Sequence, residues 1–397
     1  MKAPTRLARG STQLWLVALA VGGALLIVFG PQGWIDLQVY RLGGQAWLDG
    51  TQVYGVLLPA APDQWLPFTY PPLAAVLFVP LTLLPLPAGL AVLTAASLAA
   101  LAFVAGLAAQ RIGWQPRLGV LAVCGVVVVA LALEPVRETL RFGQINLILM
   151  AMVAADCLLR RTPWPRGLLI GLAAAVKLTP AVFVLFFLPG REWKPPVTAL
   201  AAFVGASLVG AALAPSGWGS YWFGVLLEPD RIGGAGYAGN QSLRGVLHRL
   251  ALPQSVETIA WVALVVAALA AGWVAVVRLR RAGRDTEAML VVAAVGLLCS
   301  PISWSHHWVW VVPALVVLAA ALPNRAAVWT TGAVGTVFLV GPHWLFPKGG
   351  DRELSLLAWQ QIILDAYVLV AVVAVAVMTW RGAPTTVAVR RAGVSPE

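Results

Sequence analysis

The sequence has few charged residues. Only 11% of its 397 residues are Asp, Glu, Lys or Arg, whereas soluble globular domains contain about 25%. Hydrophobic residues make up 60%, and several apolar runs approach or exceed the roughly 18 residues that a membrane-spanning helix needs. This composition excludes an ordinary soluble domain. It predicts an all-α polytopic membrane protein, organised as a single integral-membrane domain over residues 1–397.

Cysteine is also scarce. The three cysteines, Cys124, Cys157 and Cys299, all lie within apolar segments. Such positions are typical of small packing residues, and their number and spacing exclude a disulfide framework or a cysteine-based metal site.

The apolar runs predict about twelve membrane spans. The first run, Leu14 to Phe29, is interpreted as a retained anchor because no clear signal-peptidase site follows it. Residues 70–87 are apolar but short and contain Pro80, so we interpret them as a helix lying at the membrane interface. Pro180 disfavours helix at the residues before it, which predicts two half-helices meeting at Lys177. The predicted spans are 14–30, 87–109, 118–133, 145–159, 167–177, 180–189, 196–214, 258–278, 288–300, 308–322, 327–344 and 363–380.

Basic residues are distributed unevenly between the two sides of these spans. The chain has 27 Lys and Arg against 16 Asp and Glu, a formal charge of +11. Most of the basic residues fall on one side, and the positive-inside rule makes that side cytoplasmic, together with both termini and the tail 381–397. The excess positive charge is therefore explained by basic cytoplasmic loops rather than by binding of nucleic acid. The long loops 31–86 and 215–257 then face outward, separating the core spans 14–214 from the C-terminal spans 258–380.

Asp36 is one of the first charges after the initial apolar run. A carboxylate at the boundary between membrane and water can act as a general base toward an acceptor hydroxyl. It can equally cap a helix or pair with Arg41. The residue alone does not decide between these roles.

A second polar cluster, "EPVRETLRFGQINL" (134–147), lies between two spans. Its charged residues are spaced by three and four positions, which places them on one face of a helix where they can pair. A self-neutralising surface turn is the alternative. The charged residues are Glu134, Arg137, Glu138 and Arg141. Gln144 and Asn146 follow at the mouth of a span, where amides suit sugar hydroxyls or cap a helix.

Two further outward segments carry cations and amides. Lys177, at the junction of the two half-helices, is suited to hold an anionic phosphate at membrane depth, or it extends to the interface as lysines often do. In the glycine-rich loop "GYAGNQSLRGVLHRL" (236–250), Asn240 and Gln241 offer hydrogen-bond donors. Arg244 is suited to a phosphate or to lipid headgroups.

A histidine pair begins a span on the same face, in "CSPISWSHHWVWVVP" (299–313). His306 and His307 can transfer protons or donate to a leaving phosphate, but a single pair is weak evidence for a metal site. Trp304 and Trp308 beside them, like Trp34 near Asp36, fit either an aromatic belt or stacking on a sugar ring.

Several motifs together resemble a known family. "DLQVYRLGGQAWLDGTQVYG", "FTYPPLAAVLFVPLTLLP", "GQINLILM", "KLTP", "GNQSLRG" and "SPISWSHHWVWVVP" occur in the order found in glycosyltransferase family 87, the polyprenyl-phosphate-mannose-dependent α-mannosyltransferases of actinobacteria. The resemblance extends from about residue 14 to residue 380. It implies a GT-C fold with interfacial helices in the first periplasmic loop and the active site on that face of the plasma membrane. Nearest in character are the enzymes that form α-1,2 linkages on phosphatidylinositol mannosides or on lipomannan.

The resemblance also implies roles for the candidate residues. Asp36 corresponds to the family's catalytic base, and one of His306 and His307 to a site histidine. The other polar candidates are predicted from their outward positions, rather than from the resemblance, to bind the donor phosphate and sugar; they are Lys177, Arg244, Gln241, Asn240, Glu134, Arg137, Glu138, Arg141, Gln144, Asn146 and Tyr70. The implied partners are a polyprenyl-phosphate-mannose donor, a glycolipid acceptor and membrane lipids, with no nucleic acid. No DxD pair is present, so we expect no metal cofactor.

Two other functions remain open at this stage. A transporter or lipid flippase would have a similar number of spans, although such proteins usually show internal repeats with ionisable groups near the bilayer midplane. A transferase using another lipid-linked sugar would have the same shape. The residues alone do not select the sugar, and only the resemblance favours mannose.

Overall fold

The computed structural model describes residues 17–27, 30, 33–61, 64–113, 119–228, 231, 233–320 and 324–380. The predicted cytoplasmic tail and the first residues of the predicted span 14–30 lie outside these described residues. The described chain is mostly helical. Its helices, numbered along the chain, are α1 (Val17–Ile27), α2 (Ile35–Leu48), α3 (Pro72–Leu83), α4 (Leu86–Arg111), α5 (Gly119–Ala132), α6 (Glu134–Phe142), α7 (Asn146–Leu158), α8 (Leu168–Val176), α9 (Lys194–Leu213), α10 (Pro215–Phe223), α11 (Leu243–Arg249), α12 (Gln254–Arg281), α13 (Asp285–Cys299), α14 (Val311–Ala320), α15 (Arg325–Val340), α16 (Ala358–Leu364) and α17 (Ala366–Trp380).

Apolar helices occupy the positions of the predicted spans. Three of them, α4, α9 and α12, are individually long and apolar enough to cross a bilayer. Two bent pairs pass the same test when each is taken as one unit: α5 with α6, bent by 79°, and α16 with α17, bent by 70°. Length and composition thus support a membrane protein with three to five such helices among the described residues. The full count of twelve stays a prediction.

The predicted break at Lys177 is present. Helix α8 ends at Val176, and Lys177 has extended backbone angles (φ −149°, ψ 123°). A 3₁₀ segment, Thr179–Phe186, then begins with Pro180 in its first turn. The proline lacks a backbone N–H and its ring crowds the carbonyl four residues earlier, which disfavours a continuous helix at this point.

The first long loop folds into more than the predicted interfacial helix. Helix α3 confirms the helical interpretation of residues 70–87, but two strands precede it, β1 (Leu57–Ala61) and β2 (Gln64–Pro67). They pair antiparallel, with Leu58 opposite Leu66. The expectation of purely α structure was therefore wrong for this segment. Its prolines, which favour extended backbone at the residues before them, explain why it does not continue as helix.

Helix α2, which carries Asp36, is fixed by close packing on this loop. A Cβ atom added to Gly43 would lie 2.3 Å from the ring of Phe68, and one at Gly44 would lie 3.1 Å from the backbone nitrogen of Val79 in α3. Only glycine allows α2 to approach both neighbours so closely. The first turn of α2 is consequently held in one place relative to the rest of the molecule.

The two ends of the helix assembly are formed by different predicted segments. At one end, segments predicted to be cytoplasmic meet: Arg280 pairs with Glu192 and Asp285, and Arg111 lies 3.7 Å from Asp285. At the other end, the predicted outward segments surround a cavity. This segregation agrees with the distribution of basic residues. Which compartment each end faces stays a prediction.

Candidate active site

A cavity of about 740 Å³ lies among the predicted outward segments. Residues from α2, from the segment before α3, from the break at Lys177 and from the loops 233–239, 300–307 and 344–354 line it. Seven of the residues predicted from the sequence are among them: Asp36, Tyr70, Gln144, Lys177, Trp304, His306 and His307. The structure thus brings together candidates from five separate parts of the chain.

Asp36 lies in the first turn of α2, where the helix dipole favours a negative charge. Its Oδ2 is buried and has no hydrogen-bond partner among the described residues. Burial raises the pKa of the Asp36 carboxyl to about 6, although the ammonium of Lys177 and the amide of Gln144 act in the opposite direction. A carboxylate with an unpartnered oxygen and a pKa near neutrality is suited to accept a proton from a substrate hydroxyl.

Two tyrosines and an amide support the cavity beside Asp36. The hydroxyl oxygens of Tyr40 and Tyr70 lie 3.0 Å apart, and Gln144 Nε2 donates to Tyr70 Oη at 3.1 Å. Gln144 Oε1 accepts a hydrogen bond from Tyr40. The amide of Gln144 is therefore held on both sides by protein groups while it lines the cavity.

Lys177 supplies a cation to the same wall. Its Nζ donates to Asn146 Oδ1 at 3.0 Å and lies 3.2 Å from His307 Nε2. The ring centroid of Tyr70 is 5.6 Å from Nζ. Because the helix break leaves Lys177 without a continuous helix around it, its side chain reaches the cavity near Asp36. We call Asp36, Tyr70, Gln144, Lys177 and His307 the polar wall.

Hydrogen bonds to the backbone of His306 hold the histidine pair in place. The carbonyl oxygen of His306 accepts from Thr139 Oγ1 and from Asn146 Nδ2, each at 2.9 Å. His306 Nε2 is buried without a hydrogen-bond partner among the described residues, whereas His307 contacts Lys177. Asn146 thus holds both Lys177 and the histidine segment in position.

Glu134 was predicted from the sequence to bind the donor, but its side chain is surrounded by other protein groups. It is fully buried and is not among the described residues that line the cavity. Its Oε1 accepts from Ser305 Oγ and Trp344 Nε1, both at 2.7 Å, and its Oε2 accepts from Tyr367 Oη at 2.9 Å. His343 Nε2 lies 3.3 Å from Oε1. Glu134 therefore joins α6 to the segments on either side of the cavity.

The other charged residues of α6 pair with one another. Glu138 lies 3.3 Å from Arg141 and 3.6 Å from Arg137. This is the self-neutralising arrangement that the sequence offered as the alternative to a binding role. None of the three is among the described residues that line the cavity.

Asn240 and Gln241 hold the backbone of the second long loop. Asn240 Nδ2 donates to the carbonyl of Ala235 at 2.9 Å, and its Oδ1 accepts from the backbone of Ser303 at 2.9 Å. Gln241 Nε2 donates to the carbonyls of Ala238 and Leu364, each at 3.0 Å. Both side chains are completely buried, so they shape the loop rather than face the cavity.

The remaining predicted residues are not among the described residues that line the large cavity; they are Trp34, Asn146, Arg244 and Trp308. Asn146 instead lines a small adjoining cavity of about 60 Å³, together with Lys177 and His307. The described residues contain no group of three His, Cys, Asp or Glu side chains that could hold a metal ion. The absence of a metal cofactor stays a prediction.

Several lining residues were not singled out from the sequence. Tyr221, Tyr237, His248 and Trp344 all line the cavity. His248 Nδ1 lies 3.1 Å from Glu257 Oε2. The sequence did show one feature that these four residues share, which is that aromatic residues and histidines are concentrated in the segments predicted to face outward. Nothing local distinguished these four from aromatic residues elsewhere in those segments.

Comparison with known proteins supplies independent information. The model of glycosyltransferase family 87 matches residues 68–301. A Mycolicibacterium smegmatis protein named polyprenol-phosphate-mannose-dependent alpha-(1-2)-phosphatidylinositol mannoside mannosyltransferase is 43% identical over 84% of this chain and 81% of its own length. A Mycobacterium tuberculosis protein of the same name is 40% identical over 92% of this chain and 90% of its own length. A second M. tuberculosis protein, named for phosphatidylinositol pentamannoside, is 35% identical over 76% of this chain and 70% of its own. No solved structure matches the chain significantly.

Proposed function

The chain belongs to glycosyltransferase family 87, and on that premise we propose that it transfers mannose from polyprenol-phosphate-mannose to a phosphatidylinositol mannoside, forming an α-1,2 linkage. The names of relatives 40–43% identical over most of the chain support the donor, the acceptor and the linkage. The observation that carries the mechanism is the cavity in which a carboxylate with an unpartnered oxygen and a lysine lie in the same wall.

The donor phosphate binds at the cationic end of the polar wall. Lys177 and His307 are already in contact there, and a phosphodiester oxygen accepts from an ammonium as readily as the amide oxygen of Asn146 does. Negative charge grows on the phosphate as its bond to the sugar breaks. A fixed cation that stabilises this growing charge lowers the barrier.

Asp36 acts on the acceptor. The acceptor 2-hydroxyl oxygen forms a bond to the anomeric carbon of mannose while the bond from that carbon to the phosphate oxygen breaks. The hydroxyl proton passes to Asp36, and the polyprenyl phosphate leaves as an anion. A single displacement from a β-linked donor inverts the configuration and gives the α product. One carboxylate suffices because phosphate is a good leaving group, unlike the alcohol released in glycoside hydrolysis.

The location of the reaction follows from the charge distribution. We place the cavity on the periplasmic face of the plasma membrane, with twelve spans in a GT-C fold and both termini in the cytoplasm. The support is that the predicted cytoplasmic segments joined by the ion pairs of Arg111 and Arg280 contribute none of the described residues that line the cavity. Cysteine labelling of single-cysteine variants in intact cells tests this orientation. Labelling of the loop 31–86 from the cytoplasmic side alone would contradict it.

Purified protein in lipid nanodiscs provides the functional test. We expect polyprenyl-phosphate-mannose and a phosphatidylinositol mannoside to yield an acceptor one mannose heavier by mass spectrometry, with an α-1,2 linkage by NMR. Polyprenyl-phosphate-glucose and an arabinosyl phospholipid serve as competing donors. Transfer from one of them and not from the mannosyl donor would reassign the sugar. Donor translocation in proteoliposomes without transfer would instead support a flippase.

A further inference from the structure

Three aromatic side chains form a second wall of the cavity. Tyr237, Trp304 and Trp344 all line it, and each is half-buried. The ring centroid of Tyr237 lies 6.0 Å from that of Trp304 and 6.1 Å from that of Trp344. We call these three residues the aromatic wall. The π-face of an aromatic ring carries negative charge density and attracts partially positive C–H groups, which a pyranose ring presents on its apolar face.

The rings are fixed before any ligand binds. The segments on either side of Trp304 are tied to the loop carrying Tyr237, because Ser305 N donates to the Gly239 carbonyl and Gln241 N to the Ser303 carbonyl, each at 2.8 Å. The indole of Trp344 donates to Glu134 Oε1 at 2.7 Å. Rings held in this way lose little conformational entropy when a ligand stacks on them.

Two glycines show that the loop is built around the rings. A Cβ atom at Gly233 would lie 2.7 Å from the Trp304 ring. One at Gly239 would lie 3.1 Å from both Trp344 and Tyr237. The backbone therefore packs directly against the rings and restricts their positions. The ammonium of Lys348 lies 4.2 Å from the Trp344 ring centroid, and Lys348 is not among the described residues that line the cavity.

The two walls differ in chemistry, and Asp351, Glu353 and His248 line other parts of the same cavity. The polar wall contains Lys177 and Asp36, which suit a sugar phosphate and the reacting hydroxyl. The aromatic wall offers ring surfaces, which suit the apolar C–H face of a sugar better than a phosphate. In an inverting displacement the acceptor approaches the anomeric carbon from the side opposite the phosphate, so its reacting hydroxyl lies beside Asp36 while the rest of its headgroup extends away from the phosphate.

We propose that the aromatic wall of Tyr237, Trp304 and Trp344 is the acceptor subsite, stacking on a hexose of the acceptor glycolipid headgroup. This inference rests on the proposed function for the identity of that hexose, a mannose. Glu134 is then a positioning residue, since it orients the Trp344 indole without touching the sugar. Selectivity for a mannosylated lipid over a lipid lacking mannose would arise at this wall.

Acceptor binding without donor tests the subsite independently of turnover. Wild type and the variants Trp344→Ala and Trp344→Phe are titrated with a phosphatidylinositol mannoside and with unmodified phosphatidylinositol, using native mass spectrometry. We expect Trp344→Ala to weaken binding of the mannoside about tenfold and to leave phosphatidylinositol unchanged. Trp344→Phe keeps an aromatic ring but loses the hydrogen bond to Glu134, so its affinity for the mannoside should lie between those of wild type and Trp344→Ala. Trp329→Ala, an exposed tryptophan in α15, is the matched control and should behave as wild type.

Steady-state transfer adds a second readout. Trp344→Ala and Tyr237→Ala should raise KM for the acceptor and leave KM for the donor unchanged. Equal mannoside binding by wild type and both alanine variants would overturn the subsite, as would a rise in donor KM alone. Should Trp344→Ala not fold, the binding and KM comparison of Tyr237→Ala with wild type decides by the same criteria. If the wild type binds mannoside through the wall yet transfers no mannose, the subsite stands and the proposed function fails.

Discussion

Asp36 and Glu134 both lie in the first turn of a helix at the cavity end of the molecule, yet their surroundings differ. Both oxygens of Glu134 accept hydrogen bonds from residues on neighbouring segments. Asp36 keeps a buried oxygen without a partner among the described residues. Buried polar groups are normally satisfied, and an exception at a cavity points to a substrate that completes it. The comparison assigns chemistry to Asp36 and positioning to Glu134.

Replacing Asp36 by Asn should produce the largest effect. The amide keeps the shape of the carboxylate but cannot take up the acceptor proton, so we expect transfer to fall by about 10³-fold. Radiolabelled mannose transfer measures this, with donor binding unchanged. Asp49→Asn at the exposed end of the same helix is the control. An Asp36→Asn enzyme with more than a tenth of wild-type turnover would reassign the base.

Removing the cation of the polar wall should have the next largest effect. Lys177→Met keeps most of the side-chain length but leaves the growing phosphate charge without its ammonium, which should lower kcat by about 10²-fold. The exposed Lys194 at the start of α9 provides the control variant Lys194→Met. If Lys177→Met affected only KM for the acceptor, the placement of the donor phosphate would be wrong.

Variants of Glu134 should distinguish a structural role of this residue from a direct role in the reaction. Glu134→Ala leaves Ser305, Trp344 and Tyr367 without their shared acceptor, and we expect the Tm to fall by about 5 °C. Glu134→Gln keeps one acceptor oxygen and should shift the Tm less. Differential scanning fluorimetry in nanodiscs gives the Tm, with the exposed Glu228→Ala as control. A Glu134→Gln enzyme that is stable yet as inactive as Asp36→Asn would show direct participation in the reaction.

Metal removal should have the smallest effect of all. We expect turnover in excess EDTA to equal that of the untreated enzyme, because the proposed step uses Lys177 rather than a bound cation against the phosphate. Loss of activity in EDTA that Mg²⁺ or Mn²⁺ restores would require a metal in the mechanism.

Local sequence signals predicted much of the polar wall. Lys177 and Pro180, with the distribution of basic residues, indicated the break that presents Lys177. The position of Asp36 just after an apolar run indicated a place at the boundary between membrane and water. The motif resemblance supplied the roles of Asp36 and the histidines, which the residues by themselves left open. These signals succeed because each depends on neighbours within a few positions in the chain.

Of the aromatic wall, the sequence singled out Trp304 as a candidate for sugar stacking but not Tyr237 or Trp344. The partners of Glu134 come between 171 and 233 positions later in the chain, so its local spacing with Arg137 and Arg141 suggested a surface face instead. Trp344 resembled any other tryptophan near the end of a span. Tertiary packing, rather than local pattern, selects which carboxylate turns inward and which tryptophan reaches the cavity. The β1–β2 pairing was missed because its short proline-containing strands carry little periodic signal.

The pH dependence of kcat/KM tests the central claim most directly. Burial raises the pKa of Asp36 to about 6, so the carboxylate is present above that pH and is lost as the pH falls through it. The donor phosphodiester stays ionised throughout this range. We therefore predict that kcat/KM of the wild-type enzyme falls about tenfold per unit as the pH is lowered below 6. A profile that stays level down to pH 5 would contradict the role of Asp36 as the base.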